Sequence, residues 1–287
     1  MSMAGLQDRL ANVDQRMAQY RFLTGNMVKV IAVLTMFIDH FTKIVFEWCR
    51  NNIWRNMLSA GLISASTWDQ LIDISFQLIR IGRIAFPLFA FLLTEGFCYT
   101  RNRKRYAISL AAFALISELP FDLGFFYNLA SRRGTFPFFW EYQNVFFTLL
   151  LGLGAMWCIE KFHAQSNQRS EKVKCLCFQV CGVAFMACIA FLIRSDYGAA
   201  GVLFITLFYI TRENRIFQVL SFLLAYIISE NSIMIGSQLM ICLVILLYNG
   251  KRGKMKISKY ACYVFYPTHI LILKGMTLLL SVFAANS

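Results

Sequence analysis

Charged side chains are scarce in this sequence. Asp, Glu, Lys and Arg together make up 15% of its 287 residues, against about 25% in a typical soluble domain. Hydrophobic residues make up 58% of the chain and Phe alone occurs 28 times. A composition so poor in charge and so rich in apolar side chains excludes an ordinary soluble domain and indicates a membrane protein.

Acidic residues are scarcer still than basic ones, and the formal net charge is +13. The basic residues do not form the continuous patch that a nucleic acid would need. They cluster between apolar runs, at residues 101–105, 161–174 and 251–259. Short basic loops of this kind face the cytoplasm in membrane proteins. We therefore expect no nucleic-acid partner, and we expect a multi-pass protein of the cell membrane with a cytoplasmic N-terminus.

The sequence lacks cysteine pairs with the spacing of metal ligands. Its nine Cys are scattered through apolar stretches without a CxxC pair, and only three His occur. Structural zinc sites need ligands in such pairs, so we expect no metal. The first 26 residues also lack the apolar core of a cleavable signal peptide, so the first span is expected to target the chain to the membrane.

Long apolar stretches fill the rest of the chain, and about 20 such residues suffice to cross a bilayer as a helix. Spans are predicted at residues 27–46, 71–99, 106–124, 144–162, 175–193, 198–211, 216–229, 233–248 and 260–283. Residues 71–99 fit one tilted or Pro87-broken helix, or a short helix before a span. Residues 47–69 are predicted to form a polar connection at the interface, and the region 47–83 could hide a further crossing or a re-entrant piece. The fold class is all-α, a polytopic transmembrane bundle of about 9–10 spans.

The pattern predicts two segments in the domain organisation. Residues 1–26 form an amphipathic cytoplasmic lead-in, and residues 27–287 form a single transmembrane domain. No internal repeat is apparent, although such repeats mark many secondary transporters.

Ionisable residues inside the predicted spans are the functional candidates, because each is costly in a bilayer. The densest group of them consists of Asp39 and His40, Arg80 and Arg83 followed by Glu95, Glu118 and Asp122, and His269.

His40 can act as a general base near neutral pH, or it can be a packing residue that is hydrogen-bonded across the bundle. Adjacent helical residues point about 100° apart, so Asp39 is not expected to orient His40. We expect Asp39 to pair instead with Arg80 or Arg83 on a neighbouring helix.

Two arginines three positions apart share one helix face. Arg80 and Arg83 therefore suit a pyrophosphate, or else internal pairing with Asp39, Glu95 or Asp122. The carboxylates of Glu118 and Asp122 flank Pro120 one turn apart, and this pair could share a proton or hold an amine.

Several segments together resemble the TraX family over residues 27 to 275. They are MVKVIAVLTMFIDHF, RIGRIAFPLFAFLLTEGF followed by YTRNRKRY, ISELPFDL, QNVFFTLLLGL, DYGAAGVL and YVFYPTHILIL. The family is named after a conjugation protein that acetylates the N-terminal alanine of pilin, and it resembles a wider superfamily of transmembrane acyltransferases. In that superfamily a first-span pattern matched here by Lys29, Ile31, Ala32 and His40 places the proposed catalytic histidine.

The resemblance implies an acetyltransferase that uses acetyl-CoA as acyl donor. Its basic motif matches Arg101, Arg103 and Arg105, which would hold the CoA phosphates, with Arg80 and Arg83 as a deeper site. His40 would activate the amine of a peptide or pilin N-terminus, or a hydroxyl of a glycan, or it would carry the acetyl group transiently.

The remaining candidates have supporting roles in this acetyltransferase interpretation. Asp39, Glu118 and Asp122 would position the acceptor or balance the arginines. His269, which has a counterpart in the superfamily, would be a second acid/base or an oxyanion donor. Two other classes stay open: a transporter or flippase for an anionic solute, and a non-enzymatic assembly or sensor protein.

Overall fold

A computed structural model describes residues 3–126, 139–163, 168–229, 235–255, 258 and 260–286. Lys256 and Lys259 of the third basic block, and residues 164–167 of the second, lie outside this part of the chain.

All regular elements of the described chain are helical. In chain order the main helices are α1 (Met3–Met17), α2 (Gly25–Phe41), α3 (Ala65–Gly82), α4 (Ala85–Tyr99), α5 (Arg103–Phe125), α6 (Val145–Lys161), α7 (Arg169–Leu192), α8 (Gly198–Ile210), α9 (Arg215–Ser229), α10 (Ile235–Leu247) and α11 (Ala261–Asn286). The only β-type pairings between described residues are isolated bridges, such as the one joining Leu23 and Tyr248. The all-α class is confirmed, and most predicted spans coincide with one helix to within a few residues.

Four stretches of the described chain are long and apolar enough to cross a membrane: Ala65–Tyr99, Arg103–Phe125, Arg169–Leu192 and Ala261–Ala284. Shorter apolar helices follow at Gly198–Ile210, Arg215–Ile227 and Gly236–Leu247. The protein is therefore a polytopic membrane protein.

The helix that contains the first predicted span continues beyond the apolar residues of that span. Beyond α2 the chain stays helical through two π-helical turns, Thr42–Phe46 and Arg50–Trp54, and ends in a last α-turn at Arg55–Ser59. The polar connection expected at residues 47–69 is thus mostly a continuation of the first helix. Its polar residues did not mark a helix end, because the chain has neither Gly nor Pro between Gly25 and Gly61 to stop the helix.

The second predicted span consists of two helices. Ser64 caps α3, and its hydroxyl oxygen accepts a hydrogen bond from the Thr67 backbone N–H at 3.1 Å. The chain breaks at Arg83–Ile84, before Pro87 rather than at it. Pro87 lies in the first turn of α4, where its missing N–H has no helical partner to lose.

The helices form two compact units, whose described residues fall within 1–28, 87–114 and 141–255 for the first unit, and 29–86, 115–140 and 256–287 for the second. In the first unit α6, α7 and α8 pack closely, and a Cβ on Gly152 would collide with Ile205. A buried ion pair joins α4 and α9 there, with Arg215 Nη1 2.9 Å from Glu95 Oε1.

Candidate functional site

The second unit brings two of the three histidines of the chain into contact. His40 lies near the end of α2 and His269 lies in the third turn of α11, and their side chains are almost completely buried. His40 Nδ1 is 2.6 Å from His269 Nε2. The ring planes are 3° apart and the ring centroids 4.8 Å apart. The distance between the ring centroids exceeds the N–N distance by about two ring radii, so the two rings meet edge to edge. This is the arrangement that an in-plane N–H···N hydrogen bond requires.

A backbone carbonyl fixes the direction of this hydrogen bond. His269 Nδ1 lies 2.7 Å from the carbonyl oxygen of Phe265. A carbonyl only accepts, so Nδ1 of His269 carries the hydrogen and its Nε2 is the acceptor in the neutral ring. His40 must then donate from Nδ1. We therefore assign to neutral His40 the tautomer with its lone pair on Nε2, the nitrogen that a general base would use.

Aromatic rings enclose the pair. Phe125 and Tyr266 meet His40 edge-on, at centroid distances of 5.2 Å and 5.6 Å, and Phe265 stacks on His269 at 4.5 Å. The end of α5 lies close to α11, because a Cβ on Gly124 would collide with the Ile270 side chain. This close approach places Phe125 against His40.

Asp39 has a partner other than the one expected. Its Oδ2 accepts a hydrogen bond from Lys43 Nζ at 2.6 Å, one helical turn further along. Pairing with Arg80 or Arg83 was therefore the wrong expectation for this oxygen. The same Oδ2 lies 4.0 Å from His40 Nε2. The lone-pair nitrogen of His40 therefore lies near the Asp39–Lys43 ion pair, and the carboxylate does not hydrogen-bond His40 at this distance.

α3 ends directly against Asp39. A Cβ on Gly82 would lie 2.5 Å from Asp39 Cβ and 2.8 Å from its Cα. Only glycine allows such an approach, so the RIGR sequence brings two arginines to the helix that carries the histidine. Arg80 is partly exposed and makes no ion pair with the described residues, whereas Arg83 does interact with its surroundings.

The carboxylates of α5 serve other contacts. Asp122 Oδ2 accepts a hydrogen bond from the Phe139 backbone N–H at 2.8 Å, so Asp122 anchors the chain that follows α5. Glu118 is partly buried and makes contacts of its own. A shared proton between these two carboxylates stays a prediction.

The arginine block belongs to the first unit. Arg103 is engaged there by Glu160, 2.5 Å away, and its guanidinium lies over the Phe97 ring at 4.5 Å. Arg101 and Arg105 are exposed and form no ion pair with the described residues. The structure thus divides the predicted phosphate-binding set into one structural arginine and two that face outward.

A cavity of about 420 Å³, lined by both polar and apolar side chains, lies next to the histidine pair in the second unit. Its lining residues include Lys43, which holds Asp39, and Phe125, which packs on His40. Among the described residues there is no cluster of three His, Cys, Asp or Glu side chains suited to a metal ion.

Sequence reasoning missed two parts of this site. Lys43 stands four residues after Asp39, and oppositely charged residues at this spacing commonly pair on a helix, so the sequence did contain that signal. No sequence signal marks Gly82, because its close contact with Asp39 depends on which helix packs against α3.

Two comparisons relate the chain to known proteins. The sequence model described as "TraX protein" matches residues 24–277. The chain is also similar to "Probable fimbrial assembly protein FimC, serogroup H1" of Dichelobacter nodosus, with 26% identity over 262 residues that cover 86% of this chain and 92% of that protein. No solved structure matches significantly.

Proposed function

Because this chain belongs to the TraX family, we propose that it is a membrane-embedded acetyltransferase that transfers an acetyl group from acetyl-CoA to the N-terminal amine of a peptide. The hydrogen-bonded pair of His40 and His269 carries this proposal. Burying two imidazoles in a membrane-spanning unit costs free energy, and ionisable residues in such positions mark functional sites. General bases of this kind typically contribute about 10²–10⁴-fold to a rate.

His40 is the base in this mechanism. Its Nε2 takes the proton of the acceptor amine while the amine nitrogen attacks the thioester carbonyl carbon. Its Nδ1–H, already aimed at His269 Nε2 at 2.6 Å, lets the second ring share the positive charge that develops on His40. The C–S bond then breaks, the C–N bond of the amide is complete, and the proton passes to the CoA thiolate as CoA leaves.

Asp39 and Lys43 control the charge around the base. A carboxylate 4.0 Å from His40 Nε2 favours the imidazolium that forms during the reaction. The Lys43 ammonium neutralises that carboxylate when His40 is uncharged. His40 and His269 therefore have different roles: the first touches the reacting atoms, and the second positions the first.

The acyl donor approaches from the side of the basic loops. By the distribution of Lys and Arg, that side is the cytoplasm of a cell-membrane protein whose N-terminus is also cytoplasmic. Arg101 and Arg105 are exposed there to bind the phosphates of CoA. Arg80 and Arg83 supply further positive charge close to Asp39.

The peptide acceptor is inferred from the relatives. The similar protein of Dichelobacter nodosus is named as a fimbrial assembly protein, and fimbriae are built from pilin subunits. A pilin-like subunit is therefore the proposed partner of this chain.

Turnover of acetyl-CoA tests the proposal. The detergent-purified protein is expected to bind acetyl-CoA and to release CoA faster when a peptide with a free N-terminal alanine is added, with acetylation located by mass spectrometry. A folded sample that binds neither acetyl-CoA nor longer acyl-CoAs contradicts the proposal. Flux of an anionic solute through liposomes without acyl-CoA would favour a transporter instead.

A further inference from the structure

A larger cavity, of about 860 Å³, lies within the first unit between α6, α7 and α8. Its apolar wall includes Leu176, Val180 and Ala184 of α7 and Leu203 and Ile210 of α8. All five of these residues are exposed. The cavity is therefore an open groove on the surface of a membrane-embedded unit, and we call it the α7–α8 groove.

Small side chains close the deep end of the groove. One turn beyond Ala184, Ala187 and Ala190 of α7 form a buried cluster with Val202 of α8 and Ala155 of α6. Small residues let membrane helices approach closely, so α7 and α8 meet at this cluster. The groove opens from there toward the start of α7 and the end of α8.

The length of the groove matches one leaflet of a bilayer. Its wall begins at Leu176, just after Lys172 and Lys174 of the second basic block, and reaches Ala184. These eight steps of α7 correspond to a rise of about 12 Å. Half of a hydrocarbon core is about 15 Å thick. The groove therefore fits an acyl chain of one leaflet better than a helix that crosses both.

Two polar side chains in the wall are already hydrogen-bonded. Gln179 Nε2 donates to the carbonyl oxygens of Ile159 and Phe162, at 3.2 Å and 3.1 Å. The Thr206 hydroxyl donates to the Val202 carbonyl oxygen at 2.8 Å. An acyl chain against this wall leaves neither donor without an acceptor.

The open end of the groove presents a fixed cation beside an anion. The Arg212 guanidinium lies 4.4 Å from the centroid of the Tyr209 ring, and its Nη1 donates to the Tyr209 carbonyl oxygen at 2.9 Å. Its Nη2 is 4.0 Å from Glu213 Oε1, which is too far for a hydrogen bond. Both charges therefore retain the capacity to bind a ligand.

The other carboxylate at this end is already neutralised. Glu160 lines the groove and pairs with Arg103 at 2.5 Å. Arg212 and Glu213 thus remain as one positive and one negative charge. A head group that carries both a phosphate and a primary ammonium complements this arrangement, because the guanidinium binds the phosphate and the carboxylate binds the ammonium. A head group that is only anionic would leave Glu213 without a partner.

We propose that the α7–α8 groove binds one phospholipid of the adjoining leaflet and prefers phosphatidylethanolamine. The phosphate contacts Arg212, the ammonium contacts Glu213, and one acyl chain lies along Leu176, Val180 and Leu203. This site belongs to the unit that does not carry the histidine pair. It is independent of the acetyltransferase function proposed above.

The head group is tested by native mass spectrometry of the full chain in detergent, with lipids of identical acyl chains. Phosphatidylcholine keeps the phosphate, but its quaternary ammonium has no N–H, and phosphatidylglycerol has no cation. We expect phosphatidylethanolamine to bind about tenfold or more tightly than either, because both alternatives lose a hydrogen bond to a charged group. Equal affinities, or tighter binding of phosphatidylglycerol, would overturn the head-group assignment.

The groove is tested by two substitutions of exposed residues on the same helix. Val180→Trp adds an indole to the middle of the wall, whereas Leu192→Trp lies beyond the deep end and is the matched control. Val180→Trp should weaken phosphatidylethanolamine binding about tenfold or more, since the acyl chain loses apolar contact. Leu192→Trp should bind as the unsubstituted protein does. Equal binding by both variants would overturn the location.

Arg212→Gln provides a second variant that leaves the wall intact. It should weaken the binding of phosphatidylethanolamine and phosphatidylcholine alike, because both lose the phosphate contact. Unchanged binding of both lipids would overturn the role of Arg212.

A second copy of the chain is the competing occupant. Light scattering in detergent should show the same mass for the unsubstituted protein and for Val180→Trp. A dimer that Val180→Trp dissociates would place a second copy in the groove and overturn the lipid assignment. None of these measurements depends on turnover of acetyl-CoA.

Discussion

Gly82 and Asp39 lie in contact through their backbones, so that α3 ends on the helix that carries His40. The atoms of Asp39 occupy the position of a side chain at residue 82, where a Cβ would come within 2.5 Å of Asp39 Cβ. The spacing of these two helices depends on the absence of one methyl group.

The Gly82→Ala substitution should therefore destabilise the protein. Inserting a group into a packed contact costs about 1–3 kcal/mol, and here the displaced residue adjoins the base. Thermal unfolding in detergent should show a lower midpoint together with reduced CoA release. Gly275→Ala in α11 is the control, because nothing lies within 4 Å of its added Cβ. Equal effects of the two substitutions would contradict the contact.

Removal of the base should slow turnover strongly without unfolding the protein. His40→Ala is expected to lower acetyl transfer by about 100-fold or more, with acetyl-CoA binding retained. His163→Ala is the control, because His163 is exposed at the end of α6 in the other unit. A well-folded His40→Ala protein with full activity would exclude the role given to His40.

The second histidine should affect kcat more than KM. His269→Phe keeps an aromatic ring but leaves His40 Nδ1 without its acceptor, and a buried donor without a partner costs about 1–3 kcal/mol. We expect kcat to fall about tenfold or more, with an unchanged KM for acetyl-CoA. His269→Gln retains an acceptor and should recover part of the rate. A loss seen only in KM would show that His269 binds substrate instead.

The Asp39–Lys43 pair should show coupling. Lys43→Met leaves a buried carboxylate unpaired, and because the Lys43 side chain is 39% exposed, solvent reduces the cost to about 1–3 kcal/mol. The double variant Asp39→Asn with Lys43→Met should recover much of the lost stability. Glu213→Gln provides a comparison, because the Glu213 side chain is 88% exposed in its pair with Arg212, and this substitution should change stability by less than about 0.5 kcal/mol. Additive effects at Asp39 and Lys43 would contradict the pairing.

The outward arginines should affect donor binding alone. Arg101→Gln combined with Arg105→Gln should raise the KM for acetyl-CoA several-fold and leave kcat unchanged, because only phosphate contacts are lost. Lys104→Gln, an exposed charge in the same block, controls for the general effect of positive charge. Arg103→Gln should lower stability as well, since it frees Glu160. An unchanged KM in the double variant would place the phosphates elsewhere.

Hydropathy predicted the helices because burial in lipid depends mainly on local composition. The span predicted at residues 175–193, for example, lies within α7 except for its last residue, because α7 ends at Leu192. The helix that carries His40 was cut short, because hydropathy falls after Phe46 although no helix-breaking residue follows there. A polar continuation of a helix and an interfacial loop have similar composition, so hydropathy alone does not distinguish them.

The site was harder to predict than the helices, for reasons of distance along the chain. His40 and His269 were both chosen as candidates, but 229 positions separate them, and no local pattern shows that α2 and α11 pack together. The tautomer of His40 also depends on the backbone carbonyl of Phe265, whose position cannot be predicted from a pattern of side chains. Spacing along a single helix, as for Asp39 and Lys43, was the part that sequence alone could have supplied.

The π-helical turn at Thr42–Phe46 has a consequence for how relatives of this chain should be aligned. Such a turn accommodates one residue more than an α-helical turn. A relative that lacks this one residue can close the same turn as an ordinary α-helix, so that every later side chain of the helix keeps its direction. The counterparts of Glu47 and Asn51 would then still line the cavity beside the histidine pair. A single gap in this segment should therefore be placed inside the π-helical turn, because a gap placed elsewhere in the helix would rotate the later side chains by about 100°.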